Sequence, residues 1–293
     1  MADKKPACVI TMVKDDYFFL ERWVEHYGGI FGREALYVVN HGGGGGVADI
    51  AAGCSVINLP GDFQANFDMV RWRLFNGLQQ GLRGYYDFAI VTDVDEFLVM
   101  DPKTGLGLDD FLGKRRGKVT VTPIGIEVVH KPDLEPEEIG AGPMLGPRRY
   151  ARYASEYCKP TIFNHEVKLS RGGHYSTDPT LKVFRNLYLF HMRFVDAGLF
   201  AETYGRRATQ VEEAGADGDE AIISAHWRRK GRKKSPYEVV ADLPLRDDFN
   251  FDAQVERMYD TWGPRGEGSE YFDFERDISK ILMTVPERFF GVV

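Results

Sequence analysis

Residues 86–99, YDFAIVTDVDEFLV, form the stretch that decides the fold predicted by the sequence. Its first part is apolar and β-branched, which is typical of a strand buried on both faces of a parallel sheet. The strand then leads directly into three acidic residues, Asp93, Asp95 and Glu96. Because open α/β sheets place their ligands at the carboxyl ends of the strands, we expect a binding site at this acidic end.

Before this stretch, strand-like and helix-like segments alternate along the chain. Three apolar runs predict strands: residues 7–13, ALYVVN and SVINLP. Two amphipathic segments predict helices: YFFLERWVEHYGG, started by an aspartate cap and stopped at Gly28-Gly29, and residues 66–83, with an apolar stripe at Val70, Leu74, Leu78 and Leu82. This alternation predicts an α/β fold, a Rossmann-like mixed and mainly parallel sheet flanked by helices.

After residue 99 the alternation loosens. KVTVTPIGIEVV, EVKLSRGGHYS and LKVFRNLYLFHMRF predict strands, and residues 131–149, rich in Pro, Gly and Glu, predict a long loop. From Phe200 onward the pattern is mostly helical and amphipathic. We therefore expect an α/β ligand-binding domain over residues 1–198 and a mostly helical C-terminal extension over residues 199–293.

The composition excludes several classes of protein. A formal net charge of −7 argues against a general nucleic-acid binder, which needs clustered excess base to neutralise phosphates. Three widely spaced cysteines fit a reducing compartment better than a disulfide framework. The chain shows neither a secretory signal nor an apolar stretch of the roughly 18 residues that a membrane helix requires. We expect a soluble, cytoplasmic protein.

The acidic residues after the buried strand need an explanation. Strand alternation puts Asp93 and Asp95 on the same side of the chain, where two carboxylates repel each other. A divalent cation that also binds a diphosphate would join them, through the hard oxygen ligands that such ions prefer. An isolated D-x-D is also common in solvated turns. The buried strand before it and the third acid favour the cation site here.

The surrounding residues carry a resemblance to a known family. The segment ITMVKDDYFFLERWVEHYGGIFGREALYVVNH, followed further on by VTDVDEFLV, resembles the family-2-like glycosyltransferases of the GT-A fold, especially a bacterial branch with a D-x-D-E-F metal motif. The similarity covers residues 7–99, reappears around residues 158–196 and is weak in the remainder. The fold that it implies is GT-A-like, with donor and acceptor bound by residues 1–198.

The resemblance implies a metal-dependent glycosyltransferase of the hexosyltransferase type, with inversion. It would move a sugar from a nucleotide-sugar donor to a saccharide or lipid-linked saccharide acceptor, in polysaccharide or glycoconjugate synthesis. Mn²⁺ or Mg²⁺ would be held by Asp93, Asp95 and His191, with Glu96 orienting these ligands. A lone histidine in an apolar strand is also typical of a hydrogen-bonded core residue.

The resemblance also implies roles for individual positions. The residues expected at the donor nucleotide are Thr11, Val13, Lys14, Asp15, Asn40, His41, Arg71, Asp93, Lys159 and Arg193. His174 is expected near the acceptor. The expected catalytic residues are Asp95, Glu96, Glu166 and Asp178, although the family's usual acidic base motif has no clean match in this chain. Asp15 or Asp16 could instead cap the following helix.

Five consecutive glycines, residues 42–46, suggest an alternative function, that of a dinucleotide-binding enzyme. Gly43, Gly45 and Ala48 fit a relaxed dinucleotide-binding pattern, with Asp62 at a plausible distance. The run, however, follows the second strand, and the possible helix after it is too short for a crossover unit. We predict a loop at the rim of the donor site that binds no phosphate.

Two further classes stay open. A nucleotidyltransferase also pairs acids with a metal, but it would usually have a basic, glycine-rich loop near the N-terminus, which TMVKDDYF lacks. A non-catalytic carbohydrate-binding protein could carry an inert D-x-D. The basic segment Arg228–Lys234 could bind the inner face of an anionic membrane or an anionic glycan, or could simply be solvated.

Overall fold

The computed structural model describes residues 4–61, 67–213, 234–246 and 248–293, without side-chain detail for residues 210–213. The strands in these ranges are β1 (Lys5–Val13), β2 (Leu36–His41), β3 (Ser55–Leu59), β4 (Tyr86–Val91), β5 (Glu96–Met100), β6 (Thr120–Val129), β7 (Tyr150–Tyr153), β8 (Ile162–Phe163), β9 (Val183–Phe194), β10 (Gly263–Pro264), β11 (Phe272–Asp273) and β12 (Met283–Thr284). The helices are α1 (Tyr17–Phe31), α2 (Gly46–Ile50), α3 (Phe67–Leu82), α4 (Leu108–Gly113), α5 (Ala197–Glu213), α6 (Pro236–Ala241) and α7 (Asp252–Asp260). In this described part of the chain, no helix combines the length and the apolar character needed to cross a bilayer.

The first four strands form the parallel half of a ten-stranded sheet. β1 lies between β2 and β4, and β3 pairs with the outer side of β2. The chain therefore builds outward on one side of β1 and then returns to its other side. Such a reversal is a topological switch point, and the crevice beyond the carboxyl ends of the two strands is where open α/β sheets bind ligands.

The second half of the sheet is mixed. β8 pairs antiparallel with β4 and β6, while β6 also pairs antiparallel with β7 and parallel with β9. β5 pairs antiparallel with β9, so that His191 of β9 lies opposite Glu96 of β5 and, on its other side, opposite Glu127 of β6. The predicted α/β fold, a mixed sheet flanked by helices, is confirmed.

Helices cover both faces of the parallel strands. Alternation along β1 sends Val9 into a core that it shares with Trp23 of α1, whereas Ile10 enters a second core with Trp72 of α3. Burial on both faces explains why these strands are continuous apolar runs in the sequence. It also fixes α1 and α3 on opposite sides of the switch point.

The buried face of α3 differs from the predicted stripe. Trp72, Phe75 and Gln79 are buried at helical spacing, while Val70 is 43% exposed. The Gln79 amide donates to the Val167 carbonyl oxygen at 2.8 Å, which satisfies a buried polar group that an apolar pattern cannot anticipate. The stripe of Val70, Leu74, Leu78 and Leu82 lies beside this face rather than at its centre.

Both ends of α1 differ from the prediction. Gly28 and Gly29 stay helical, and the helix ends at Gly32, whose φ of 84° suits a residue without a side chain. Asp16 occupies the N-cap position, but its carboxylate makes no hydrogen bond to the start of the helix. The predicted aspartate cap is therefore wrong for Asp16, because other partners hold this carboxylate.

The later segments are partly as predicted. β9 and the loop over residues 131–149 are confirmed. The segment EVKLSRGGHYS forms turns with isolated bridges, because Gly172 and Gly173 adopt φ of 77° and 69°, which an extended strand excludes. Among the described residues of the C-terminal portion, the helices are α5, α6 and α7, and the residues after Asp260 form β10–β12 and a short 3-10 turn instead.

The C-terminal residues pack against the sheet. Val285 and Phe289 belong to the same core cluster as Phe97 of β5. Arg288 donates to both carboxylate oxygens of the fully buried Asp101, from Nε at 2.7 Å and from Nη2 at 3.0 Å. This ion pair joins the C-terminal turn to the end of β5. The division of the chain at residue 198 stays a prediction.

We expect Arg288→Ala to lower the free energy of unfolding by roughly 1–3 kcal/mol, because the buried Asp101 carboxylate loses two hydrogen-bond donors. Lys103, 3.2 Å from the same carboxylate, remains as a partner and limits the loss. Urea unfolding followed by circular dichroism measures the change. The control is Lys234→Ala, which removes an exposed ion pair with Asp242 and should leave the unfolding midpoint unchanged. Equal shifts in the two variants would contradict the prediction.

Candidate functional site

A cavity of about 570 Å³ opens at the topological switch point. Its wall is built by the end of β1, residues 93–96 after β4, α3, residues 156–159, the turn at residues 172–175, β9 and α5. Seven Lys or Arg and six Asp or Glu side chains line it, against a net charge of −7 for the whole chain. The cavity wall therefore carries slightly more cationic than acidic side chains, whereas the whole chain is net negative.

Asp93 is held between two cations at the cavity wall. Its Oδ1 accepts a hydrogen bond from Arg71 of α3, and its Oδ2 lies 3.7 Å from the Lys159 ammonium. Burial opposes the carboxylate charge, but Arg71 and Lys159 outweigh that effect and hold the pKa of Asp93 far below its usual value. Asp93 is therefore ionised and paired within the protein.

Glu96 and Lys159 form a buried ion pair beneath Asp93. The Lys159 ammonium lies 2.7 Å from Glu96 Oε1, and the two side chains are 3% and 0% exposed. The other Glu96 oxygen accepts the Asp93 backbone N–H at 2.9 Å. Burial opposes the lysine charge, but the Glu96 and Asp93 carboxylates raise the pKa of Lys159, so the ammonium stays protonated. Glu96 thereby fixes both the lysine and the turn that carries Asp93.

His191 lies between two carboxylates. Its Nε2 is 3.4 Å from Asp95 Oδ2, and its Nδ1 is 3.2 Å from Glu127 Oε1. Burial disfavours the charged ring, but Asp95 and Glu127 raise the pKa of His191 to about 9. The Tyr157 ring stacks on the imidazole with a centroid distance of 3.9 Å. Asp95 and Glu127 thus favour the charged form of the imidazole at the end of the D-x-D turn.

Helix α5 reaches the loop after β1. Arg206 and Arg207 donate to the two oxygens of the Asp16 carboxylate, at 2.5 Å and 2.8 Å. These are the partners that turn Asp16 away from the N-terminus of α1. Arg206 and Arg207 also line the cavity, so that α5 contributes both a wall and positive charge.

The cavity brings together most of the residues that the sequence predicts for the site. Those that line it are Val13, Lys14, His41, Arg71, Asp93, Asp95, Glu96, Lys159, His174, His191 and Arg193. The His174 Nδ1–H donates to the Glu156 carbonyl oxygen, 2.9 Å away. Burial and the nearby Lys159 lower the pKa of His174 to about 4, which keeps its ring neutral.

Three predicted donor residues lie outside the cavity wall. Thr11 is fully buried within β1. Asp15 has a φ of 59° and its carboxylate accepts from the Tyr17 hydroxyl at 3.4 Å. Asn40 donates to Asn58 at 2.9 Å and accepts from a glycine N–H, so that it braces the loop after β2. Their contact with the donor nucleotide stays a prediction.

The two acids expected to activate an acceptor also lie elsewhere. Glu166 is exposed and Asp178 is buried against His165, with 3.0 Å between Oδ2 and Nε2. Neither lines the cavity. The structure therefore does not bring Glu166 or Asp178 to the acids at the switch point.

The glycine run, residues 42–46, lies beside Gly61 and does not line the cavity. Gly42 has a φ of 68°, and a Cβ there would overlap the Gly61 Cα. Lys14 donates to the Gly61 carbonyl oxygen at 2.7 Å from the other side. None of residues 42–46 lines the cavity, and the helix that follows has five residues, too few for a dinucleotide crossover unit. Asp62 lies outside the described residues.

Sequence reasoning missed several residues of the site. They are Trp72, Tyr157, Arg206, Arg207 and Arg276 in the cavity wall, and Glu127 behind it. Arg206 and Arg207 of α5 are 190 and 191 positions from Asp16, so no local pattern links them to it. Glu127 sits within an apolar strand sequence, and an acid in such a run is itself a signal that a buried partner exists. In the basic segment Arg228–Lys234, only Lys234 belongs to the described part.

The side chains around the D-x-D turn can be compared with the ligands that the expected divalent cation would need. Asp95 Oδ2 and His191 Nε2, 3.4 Å apart, are ligand atoms of the types that Mn²⁺ accepts. Asp93 faces Arg71 and Lys159 instead, and within the described ranges no group of three or more His, Cys, Asp or Glu side chains is placed to hold a metal. Mg²⁺ is commonly bound by one or two carboxylates together with substrate phosphates and water. The residues therefore fit a cation that binds together with a phosphate-bearing ligand.

Comparisons with known proteins add little to this description. No protein-family model matches the chain, and a search of curated proteins finds no match. Among solved structures, the chain is similar to a mannose-1-phosphate geranyltransferase from Thermus thermophilus, with 12% identity, a TM-score of 0.28, and coverage of 74% of this chain and 67% of that one. A TM-score this low carries no argument about function, which must come from the site.

We expect Gly173→Ala to be more destabilising than Gly105→Ala. Both glycines have positive φ, 69° and 64°, so each substitution carries roughly 1–2 kcal/mol of backbone strain. A Cβ at Gly173 would also overlap the Trp72 ring, adding about 1–3 kcal/mol of overpacking, whereas no atom lies within 4 Å of a Cβ at Gly105. Urea unfolding compares the two variants. Equal losses would show that Trp72 is not held against this turn.

Proposed function

We propose that this chain is a glycosyltransferase that moves a sugar from a nucleotide diphosphate donor to a hydroxyl acceptor. The observation that carries the proposal is the composition of the cavity at the switch point. There the acidic D-x-D turn, a histidine, a buried lysine and a partly buried arginine meet within a few ångströms of one another. The position beyond the carboxyl ends of β1 and β4 is the one at which open α/β sheets bind nucleotides.

The donor nucleoside would lie along the ends of β1 and β2. Val13, Lys14 and His41 line this side of the cavity. The Lys14 contact with Gly61 and the Asn40 contacts hold the two loops together around it. A rim braced by its own backbone loses little conformational freedom when a ligand binds.

The donor diphosphate would lie over Arg71 and Lys159. Asp93 and Glu96 keep these two cations in place, so little reorganisation is needed when a negatively charged group enters. Preorganised positive charge of this kind stabilises a leaving group whose charge increases as the glycosidic bond breaks. The same charges would discriminate against ligands without a phosphate.

Asp95 and His191 would hold the divalent cation, Mn²⁺ or Mg²⁺. When bound, such an ion acts as a Lewis acid that neutralises charge on the departing diphosphate. Asp93 would contribute through Arg71 and Lys159 rather than as a ligand. The protein supplies two ligand atoms and the substrate supplies others.

The acceptor would approach from the turn at residues 172–175. His174 and Tyr175 line this side, together with Arg276, whose guanidinium donates to the His174 carbonyl oxygen at 2.9 Å. A saccharide acceptor, free or lipid-linked, fits a wall that combines an aromatic ring with hydrogen-bonding groups. We propose hexosyl transfer with inversion in polysaccharide or glycoconjugate synthesis, in the cytoplasm and at the inner membrane face, with contact through the basic segment.

Calorimetric titration with UDP and GDP, with Mn²⁺ and with EDTA, tests the proposal. We expect one of the two nucleotides to bind, and to bind more tightly with Mn²⁺. Asp95→Asn should remove at least about tenfold of the Mn²⁺-dependent gain in affinity, since it removes a ligand atom. The matched control is Asp87→Asn, an exposed acid at the opposite end of β4, which should bind as the wild type does.

The outcomes separate the candidate functions. Failure of UDP, GDP and their sugar conjugates to bind, with or without metal, would refute the glycosyltransferase proposal. Thermal stabilisation by NAD(H) in place of a nucleoside diphosphate would favour the dinucleotide alternative. Release of UDP or GDP from a nucleotide sugar in the presence of saccharide acceptors distinguishes a transferase from a binding protein.

We expect Gly45→Ala to leave nucleotide binding unchanged. Gly45 has a φ of −58°, no atom lies within 4 Å of a Cβ built there, and the residue does not line the cavity. The substitution therefore changes the glycine run without straining it. The same calorimetric titration measures the result, and a loss of binding with an intact circular dichroism spectrum would mean that the run contacts the ligand.

A further inference from the structure

We propose that Glu127 is a positioning residue that fixes the His191 imidazole through its Nδ1–H, so that Nε2 joins Asp95 in holding the divalent cation. Glu127 does not line the cavity and belongs to none of the motifs that the sequence presents. The inference rests on the proposed function, because the cation is the one expected to bind with the donor diphosphate. Glu127 would orient the metal-binding histidine without binding the cation itself.

Strand register brings the two residues together. β6 and β9 are parallel neighbours, and Glu127 is the register partner of His191. Register partners on adjacent strands project from the same face of a sheet. The irregularity between Glu127 and Val129 interrupts the ladder directly after this pair. Bulges of this kind commonly aim a side chain at a functional site.

The Glu127 carboxylate divides its two oxygens between different partners. Arg152 donates to Oε2 from both Nε and Nη2, with 2.7 Å for the Nε contact. Oε1 remains for His191 Nδ1, at 3.2 Å, with the Tyr157 hydroxyl at 3.4 Å. The carboxylate is 3% exposed, and a buried carboxylate is stable only with such partners. Arg152 therefore holds Glu127 in the orientation that serves the histidine.

The imidazole has little freedom to turn. Its side chain is 6% exposed, and the Tyr157 ring stacks on it at an interplanar angle of 20°. With Nδ1 donating to Glu127, the remaining nitrogen lies 3.4 Å from Asp95 Oδ2. Two atoms at this separation fit neighbouring ligands of one ion at bond lengths of about 2.0–2.2 Å. A carboxylate behind a metal-binding histidine selects its tautomer and makes it a stronger ligand.

Electron paramagnetic resonance of Mn²⁺ with the full-length chain tests the inference, in the presence of the nucleoside diphosphate that binds. We expect Glu127→Gln to weaken Mn²⁺ binding by about 10–100-fold. The control is Glu256→Gln, an exposed residue of α7, which should bind Mn²⁺ like the wild type. Unchanged Mn²⁺ affinity in a folded Glu127→Gln variant would overturn the inference.

A double-mutant cycle separates positioning from general support of the fold. If Glu127 acts through His191, Glu127→Gln should cause no further loss of Mn²⁺ affinity in a His191→Ala background. Additive losses would indicate a structural role and overturn the inference. If Glu127→Gln does not fold, Arg152→Gln replaces it: the carboxylate stays but loses its support, and Mn²⁺ affinity should fall in the same direction, while no change would overturn the inference.

The failure of this inference can be told from failure of the proposed function. Nucleotide binding in EDTA, with no Mn²⁺ binding to the wild type, would overturn the role of Glu127 and leave a metal-independent transferase. Absence of nucleotide binding under all conditions would refute both. Mn²⁺ binding that depends on Asp95 and His191 but not on Glu127 would refute the inference alone.

Discussion

Three carboxylates converge directly after β4, and each faces a cation that comes from a distant part of the chain. Like charges so close together in a largely buried turn are tolerated only when opposite charges neutralise them. The cations belong to α3, to the segment before β8, and to β9. These ion pairs therefore fix the positions of all three elements relative to the acidic turn. The cavity is the space that the three elements and the turn enclose.

The sequence predicted the part of this arrangement that depends on local patterns. Buried strands appear as continuous apolar runs, so the parallel half of the sheet and the acidic end of β4 were predictable from residues 7–99 alone. The histidine of β9 was noticeable because it interrupts an apolar run. The resemblance to GT-A glycosyltransferases implied roles for single residues. Lys159 and Arg193, two of these residues, line the cavity, and their roles stay predictions.

The remainder depends on pairings that no local pattern contains. Glu166 and Asp178 are acids in the expected half of the chain, but the turn between them brings residues 172–175 to the cavity wall and leaves both acids outside it. The partner of Asp16 is 190 positions away, and Glu127 meets His191 only through the register of β6 and β9. Long-range electrostatic complementarity decides these contacts, whereas apolar periodicity reports only local structure.

The contact between α5 and the loop after β1 joins parts of the chain that are synthesised at different times. Chains emerge from the ribosome with the N-terminal end first, and domains generally fold as units. The parallel strands that carry the acidic turn are therefore synthesised well before Arg206 and Arg207, which hold Asp16. Until α5 has been made, the parallel strands are present but the cavity wall lacks Arg206 and Arg207. Arg276 also lines the cavity, so the last residue of the wall is added only near the end of synthesis.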